Sequence, residues 1–311
     1  MRRVIAFGET VLDKIFRGDE FIAACPGGSV VNTAISLARS GVQVELLTET
    51  GGDENGGFIR DFLHQNNISL RYSPIYSSRK TAVALATLDE DARASYRFEK
   101  DYPQQRFTCA LPVLGENDLF AFGSFSSIEP ALQVAVESLL AKAGRHNTPV
   151  FYDPNIRQHK VNGNAAAMAA LQRNFASAQL IRGSDEDFQQ IFDTDEASAL
   201  WQAIQPSVCR LLVVTRGSKG LTAFDGVNEY SQEVIPVQVV NTIGAGDSFN
   251  AGMIAAICYK AALYDHQKGF DPELISLMLK AGMHYAAAVC QSHENFIGQT
   301  SVDTLTGILM R

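Results

Sequence analysis

Short apolar runs recur along the chain with segments of helical period between them, and this alternation restricts the fold more than any other feature. The strand candidates are VIAFG (4–8), VELLTE (44–49), DLFAFG (118–123), VFYD (150–153), AQLIRG (178–183) and LLVVT (211–215). The spacing predicts helices at roughly 29–40, 54–66, 130–145, 164–176, 185–205, 246–264 and 272–291. The strands are apolar throughout instead of alternating, which suits strands covered on both faces by helices. The fold class is therefore α/β, a sandwich around a mostly parallel sheet.

Two stretches break the alternation. Residues 80–99 place KTAVALATL and RASYRFEK around an acidic turn, DEDA, which reads as a β-hairpin, with 11–25 adding extended chain. A small antiparallel flap on an α/β body commonly acts as a lid, although a decorative or dimer-forming hairpin reads the same way. A second hairpin is expected over 221–234. No linker or repeat appears, so 1–311 is read as one domain with a lid from about 11–25 and 74–106.

Composition narrows the functions. Of 311 residues, 46% are hydrophobic, enough for a large core, and the formal charge of -8 disfavours a nucleic-acid partner. The five cysteines are widely spaced and form no C-x-x-C pair, so neither a disulfide framework nor a zinc site is suggested. The six histidines form no ligand pair. No charge-free run approaches bilayer-spanning length and the N-terminus lacks a signal-peptide core, so no membrane partner and a cytoplasmic location are expected.

The densest site signal is VVNTIGAGDSFNAGM, residues 239–253. Small residues Gly244, Ala245 and Gly246 precede Asp247, after which the sequence turns helical. Such a turn leaves backbone N–H groups open at the positive end of a helix, an anion site. An acid there would repel phosphate unless it takes a proton from a nucleophilic hydroxyl while the amides hold developing phosphoryl charge. The bland alternative is a helix cap beside a tight turn. The G-x-x-x-x-G-K-[ST] loop is absent, because Lys219 in TRGSKG lies between Ser218 and Gly220, and G-x-G-x-x-G fails at Phe249.

At this point the chain resembles the ribokinase-like carbohydrate kinases, the PfkB family. TIGAGDSFNAG is similar to the family's C-terminal signature and PGGSVVNTAISLARSG (26–41) to its N-terminal one. GGDENG (51–56), Gly8–Glu9 with Asp13, DPNIR (153–157) and VVTRGSKG (213–220) complete the order. The resemblance implies a ribokinase-like three-layer αβα sandwich with a small β lid. It implies Asp247 as catalytic base, with the amides of Gly244, Ala245 and Gly246 as anion hole. Asp13, Gly28 and Asn32 match positions that hold sugar hydroxyls, and Arg157 approaches phosphates or substrate. Thr215, Arg216, Gly217 and Gly220 match the nucleotide-binding turn, where Arg216 serves as a fork donor to phosphate or as a surface ion pair. ATP and magnesium are implied as cofactors, with Asp187 organising the metal's water, and a homodimer through the lid.

The sequence departs from the family in three places. Asn241 replaces an acid beside a loop that often holds a monovalent cation, which leaves potassium dependence open. Ile243 stands for a threonine, and Ser184-Asp185-Glu186-Asp187 for N-x-x-E. The GE opening, the 80–99 hairpin and DPNIR are most similar to fructokinases, so fructose giving fructose 6-phosphate is the expected reaction. A 2-keto-3-deoxygluconate kinase, using Arg93, Arg97 or Arg106 against a sugar-acid carboxylate, and a ribokinase are the alternatives. A non-catalytic sugar or nucleotide sensor on the same fold is the reading of another class.

Overall fold

The computed structural model describes residues 2–310 apart from 19, 89–93, 157–160, 162 and 163. Among the described residues, nine strands form the main sheet. Their order is β15 (Glu229–Gln232), β14 (Leu221–Phe224), β13 (Leu211–Thr215), β12 (Leu180–Ser184), β11 (Val150–Asp153), β10 (Asp118–Gly123), β1 (Arg3–Phe7), β4 (Val44–Leu47) and β6 (Ile68–Ser69). Every pairing from β13 to β6 is parallel, and β14 and β15 close one edge as the expected antiparallel hairpin.

The largely apolar strands feed two cores, because successive side chains point to opposite faces. Val4, Ala6, Leu46, Ala121 and Val213 pack with helices α1 (Ser29–Arg39), α2 (Glu54–Gln65), α7 (Ala245–Tyr259), α8 (Pro272–Cys290) and α9 (Val302–Met310). Ile5, Phe7, Phe122, Tyr152 and Val214 pack on the other face with α3 (Gln133–Arg145), α4 (Ala165–Ser177), α5 (Asp185–Phe192) and α6 (Ala197–Ala203). Within the first core, α7 and α8 approach backbone to backbone. A β-carbon at Gly252 would lie 2.6 Å from the Ala281 carbonyl oxygen, and one at Gly282 would lie 2.7 Å from the Phe249 ring.

A separate sheet is built in the order β3 (Glu20–Gly27), β2 (Val11–Arg17), β8 (Val83–Leu88) and β9 (Ala94–Glu99). The expected hairpin is β8–β9, its DEDA turn falling outside the described residues, and β2 joins it in parallel. Two short ladders remain, β5 (Thr50–Gly51) with β7 (Ile75–Tyr76) and β16 (Tyr264–Asp265) with β17 (Gly269–Phe270).

Two helix expectations need correction. The span 185–205 is two helices, not one: Asp193 takes the left-handed conformation (φ 57°) and ends α5 before α6 begins at Ala197. The helix expected to run to 264 stops at Tyr259, and Tyr264 instead enters the ladder with Phe270. The 44–49 strand ends at Leu47, where the Thr48 amide turns to the Ser73 hydroxyl at 3.1 Å.

Candidate active site

Strands β11, β12 and β13 end in Asp153, Ser184 and Thr215, so one edge of the parallel sheet gathers the polar groups, as open α/β sheets do at their carboxyl ends. Helix α7 starts above that edge. Gly244 caps it with φ 79°, and a β-carbon there would run into the Asn295 carbonyl, so only glycine makes this entry. The helix then presents Asp247 in its first turn and Asn250 three residues on, on the same side.

The Asp247 carboxylate is held from α1. Ser29 Oγ donates to Oδ1 at 2.6 Å and Asn32 Nδ2 to Oδ2 at 2.8 Å, while Thr33 Oγ1 donates to the Asp247 carbonyl at 2.9 Å. Burial pushes this carboxyl above the usual carboxylate range, and the Ser29 and Asn32 hydrogen bonds and the Arg182 charge pull back against it. A raised carboxyl with a strong tether suits a group that must hold and release a proton.

Below Asp247 lies a second buried acid. Asp153 Oδ2 accepts from Arg182 Nη1 at 2.9 Å and from Asn250 Nδ2 at 2.6 Å. Burial pushes Asp153 up to about 6, with Arg182 opposing and Asp187 adding to the rise. Arg182 Nη2 also donates to Thr215 Oγ1 at 2.6 Å, and that hydroxyl faces the Gly183 carbonyl at 3.4 Å.

Beside this polar edge opens a cavity of about 940 Å³. Its walls include Glu9, Ser29, Lys100, Tyr102, Arg106 and Asn155, so Ser29 faces the cavity while its hydroxyl holds Asp247. Both cations are compensated: Lys100 pairs with Glu9 at 3.4 Å, and Arg106 with buried Glu49, whose Oε2 it meets through Nε at 2.9 Å. Arg106 also stacks 3.8 Å over Tyr102.

The residues singled out in the sequence fall into three groups. Asp247, Gly244, Ala245, Gly246, Gly28 and Asn32 converge where α1 meets α7. Gly28 caps α1 at φ 121° against the Glu9 carbonyl, on the cavity wall. Asn32 is drawn to Asp247, and its carbonyl oxygen is buried without a partner. Asp13 lies on β2 in the small sheet; its carboxylate packs on Gly27, and burial pushes it up to about 6.

In the second group the side chains are committed to the fold. Arg216 forks onto Asp195 and Thr222 (Nε to Asp195 Oδ2 at 2.9 Å), which is the ion-pair alternative. Gly217 and Gly220 shape the turn after β13, where the Arg216 amide meets the Gly220 carbonyl at 2.8 Å. Asp187 closes a capping box with Ser184 and accepts the Ile156 amide at 2.9 Å. The third group is Arg157 and Arg93, which lie outside the described residues.

Ser29, Asp153, Arg182 and Asn250 complete the site without a signal of their own in the sequence. Three of them lie in motifs quoted for other reasons, and Arg182 was legible only as a charge inside an otherwise apolar strand.

Comparison with known proteins bears on the family. A family model described as pfkB family carbohydrate kinase matches residues 4–296. Curated relatives include a fructokinase of Rhizobium leguminosarum bv. trifolii, 29% identical over 82% of this chain and 79% of its own length. A fructokinase of Salmonella typhimurium is 28% identical over 82% and 84%. Among solved structures, a fructokinase of Xylella fastidiosa with bound ATP superposes with a TM-score of 0.82 at 22% identity, covering 100% of both chains. A fructokinase of Vibrio cholerae O395, a double mutant holding fructose, ADP and potassium ion, gives 0.82 at 21% identity over 99% and 98%. With the family model spanning nearly the whole sequence, the chain belongs to the pfkB family of carbohydrate kinases.

Proposed function

We propose that this carbohydrate kinase transfers the γ-phosphoryl group of ATP to the primary hydroxyl of fructose, giving fructose 6-phosphate. The observation that carries the reading is the Asp247 carboxylate, tethered by Ser29 and Asn32 at the open start of α7 beside a hydrogen-bonding cavity. In the step, the sugar oxygen attacks the γ-phosphorus. Its bond to phosphorus forms as the β,γ-bridging bond breaks, the hydroxyl proton passes to Asp247, and ADP leaves. The amides of Gly244 and Gly246 face the charge that builds on the transferring group, whereas the Ala245 amide, expected to join them, donates to the Thr242 carbonyl at 3.2 Å. Closure of the β2–β3–β8–β9 sheet excludes water as a competing acceptor.

Charge balance in the cavity supports a neutral sugar. Lys100 and Arg106 each have a carboxylate partner, and Arg97 pairs with Glu99 at 2.9 Å. Among the described residues, a sugar acid such as 2-keto-3-deoxygluconate would have to displace the carboxylate partner of Lys100 or Arg106. The curated fructokinase relatives point the same way.

The described residues do not build a magnesium cage. No group of three or more His, Cys, Asp or Glu is arranged to hold a metal among them, and Asp187 already accepts three hydrogen bonds. Magnesium is read here as arriving on the nucleotide's phosphates. A homodimer through the small sheet is supported by Phe21 and Ile22 on its β3 edge, 55% and 44% exposed.

The test is a coupled ADP-release screen over fructose, ribose, 2-keto-3-deoxygluconate, nucleosides and inositols. Turnover highest with fructose is expected. A preference for the sugar acid would overturn the charge argument, and no turnover with any sugar would favour a sensor.

A further inference from the structure

Arg182 has no part in the chemistry above, yet its position is unusual. It is 8% exposed, at the carboxyl edge of the sheet, and a β-carbon on Gly246 would lie 3.0 Å from its Nη2 and 3.1 Å from its Nη1. The guanidinium thus packs directly against the peptide that forms the anion hole. Asp153 and Thr215 fix its two terminal nitrogens, the Phe249 ring lies 5.7 Å away, and its Nε is buried without a partner.

Two positive sources therefore converge on one place, the start of α7 and a buried guanidinium. The acids nearby do not answer both. Asp247 is turned toward Ser29 and Asn32, and Asp153 is shared between Arg182 and Asn250, with its Oδ1 and the Asn250 Oδ1 also buried and unpartnered. A cation behind a helix N-terminus is unfavourable until an anion arrives in front of it. During phosphoryl transfer the charge spreads over three oxygens and needs fixed donors and fixed charge.

We infer that Arg182 is a positioning residue for phosphoryl transfer, a tethered cation that supports the Gly244–Gly246 turn and adds its field to the anion hole, with Asp153 and Asn250 as its holders. This rests on the kinase reading. Arg182 strengthens in the transition state and acts on no sugar hydroxyl, so its loss lowers kcat while the sugar KM stays.

The test compares full-length Asp153→Asn with Arg182→Met/Asp153→Asn, since the double variant leaves no lone buried carboxylate. We expect kcat of the double variant to fall about 100-fold below that of Asp153→Asn, with the sugar KM within about threefold. A second readout needs no turnover: the titration of the Asp247 carboxyl, followed by carbon NMR of aspartate-labelled protein. The charged groups around it are Arg182 from β12, Asp153 from β11 and, through Asp153, Asp187 from α5. Asp247 should lose its proton at higher pH in the double variant than in Asp153→Asn, because the cation favouring the carboxylate is gone. Arg182→Lys keeps the charge without the fork and should keep the Asp247 titration while losing about tenfold in kcat. Equal kcat for the double variant and Asp153→Asn, an unmoved titration, or a rise in KM with kcat kept would each overturn the inference. A wild-type protein that phosphorylates no sugar would remove the kinase reading instead, and the titration would still decide whether Arg182 acts on Asp247.

Discussion

Replacing Asp247 with Asn isolates the proton acceptor from the architecture that holds it. The substitution keeps shape and one carbonyl oxygen, which can still accept from Ser29, now 2.6 Å from Oδ1. On the Asn32 side, the new amino group would face the Asn32 amino group across the present 2.8 Å contact. The remedy is already built in, because the Asn32 carbonyl oxygen is buried without a partner. A flip of that carboxamide turns a donor–donor clash into a hydrogen bond and satisfies the orphan. Burial also works against the charge on Asp247, so removing it carries little structural cost. Stability should change by no more than about 1 kcal/mol, the net worth of one hydrogen bond. The chemical step should lose at least ~10²-fold, the low end for a general base, or about 2.7 kcal/mol of barrier. The assay is steady-state turnover with fructose and ATP beside a denaturant melt of both proteins. If kcat stays within tenfold of wild type while the melt is unchanged, Asp247 is not the base. A collapse of the melt would instead show that the tether is structural.

Asp13→Asn should raise the sugar KM far more than the ATP KM; equal effects would remove Asp13 from the sugar site. The same variant has a stability signature. The folded carboxyl lies at about 6 against an ordinary 3.8, so the folded chain binds the extra proton and stability falls as pH rises through that window. At about 1.4 kcal/mol per pH unit, the variant should gain up to ~3 kcal/mol at pH 7 and nothing at pH 4, as read from Tm; an equal gain at both would refute burial as the cause. Gly244→Ala should abolish turnover and lower Tm, since a side chain at φ 79° meets the Asn295 carbonyl, and near-normal kcat would show that the turn can be rebuilt. Exchanging potassium for sodium should leave the rate within about twofold, because Asn241 is uncharged and its Oδ1 closes a turn on the Ile243 amide at 3.0 Å; strong potassium activation would contradict this.

Much of the fold was legible because the buried strands are mostly apolar on both faces, and the β8–β9 hairpin was legible from composition around an acidic turn. The break at Asp193 was not: both halves of 185–205 carry helical spacing, and a single left-handed residue leaves no mark on periodicity. The site was half visible. Asp247 and its glycines announce themselves by chemistry that only a turn can explain. Ser29 looks like any first helical residue until α7 is placed opposite it. Arg182 is concealed by its neighbours, since one charge in a run of apolar residues reads as a strand end. The committed geometry of Asp187 and Arg216 depends on partners distant in sequence, Ile156 and Asp195, that no local pattern supplies.

The glycine contacts between α7 and α8 divide the molecule into a fixed part and a variable one. With Gly252 against Ala281 and Gly282 against Phe249, the helix bearing Asp247 has no slack to follow a substrate. Lys100, Tyr102 and Arg106, which shape the cavity, lie outside those helices. Sugar preference can therefore drift by substitutions around the cavity while the phosphoryl machinery stays constant, and a redesign for another polyol should begin there and leave the seam untouched.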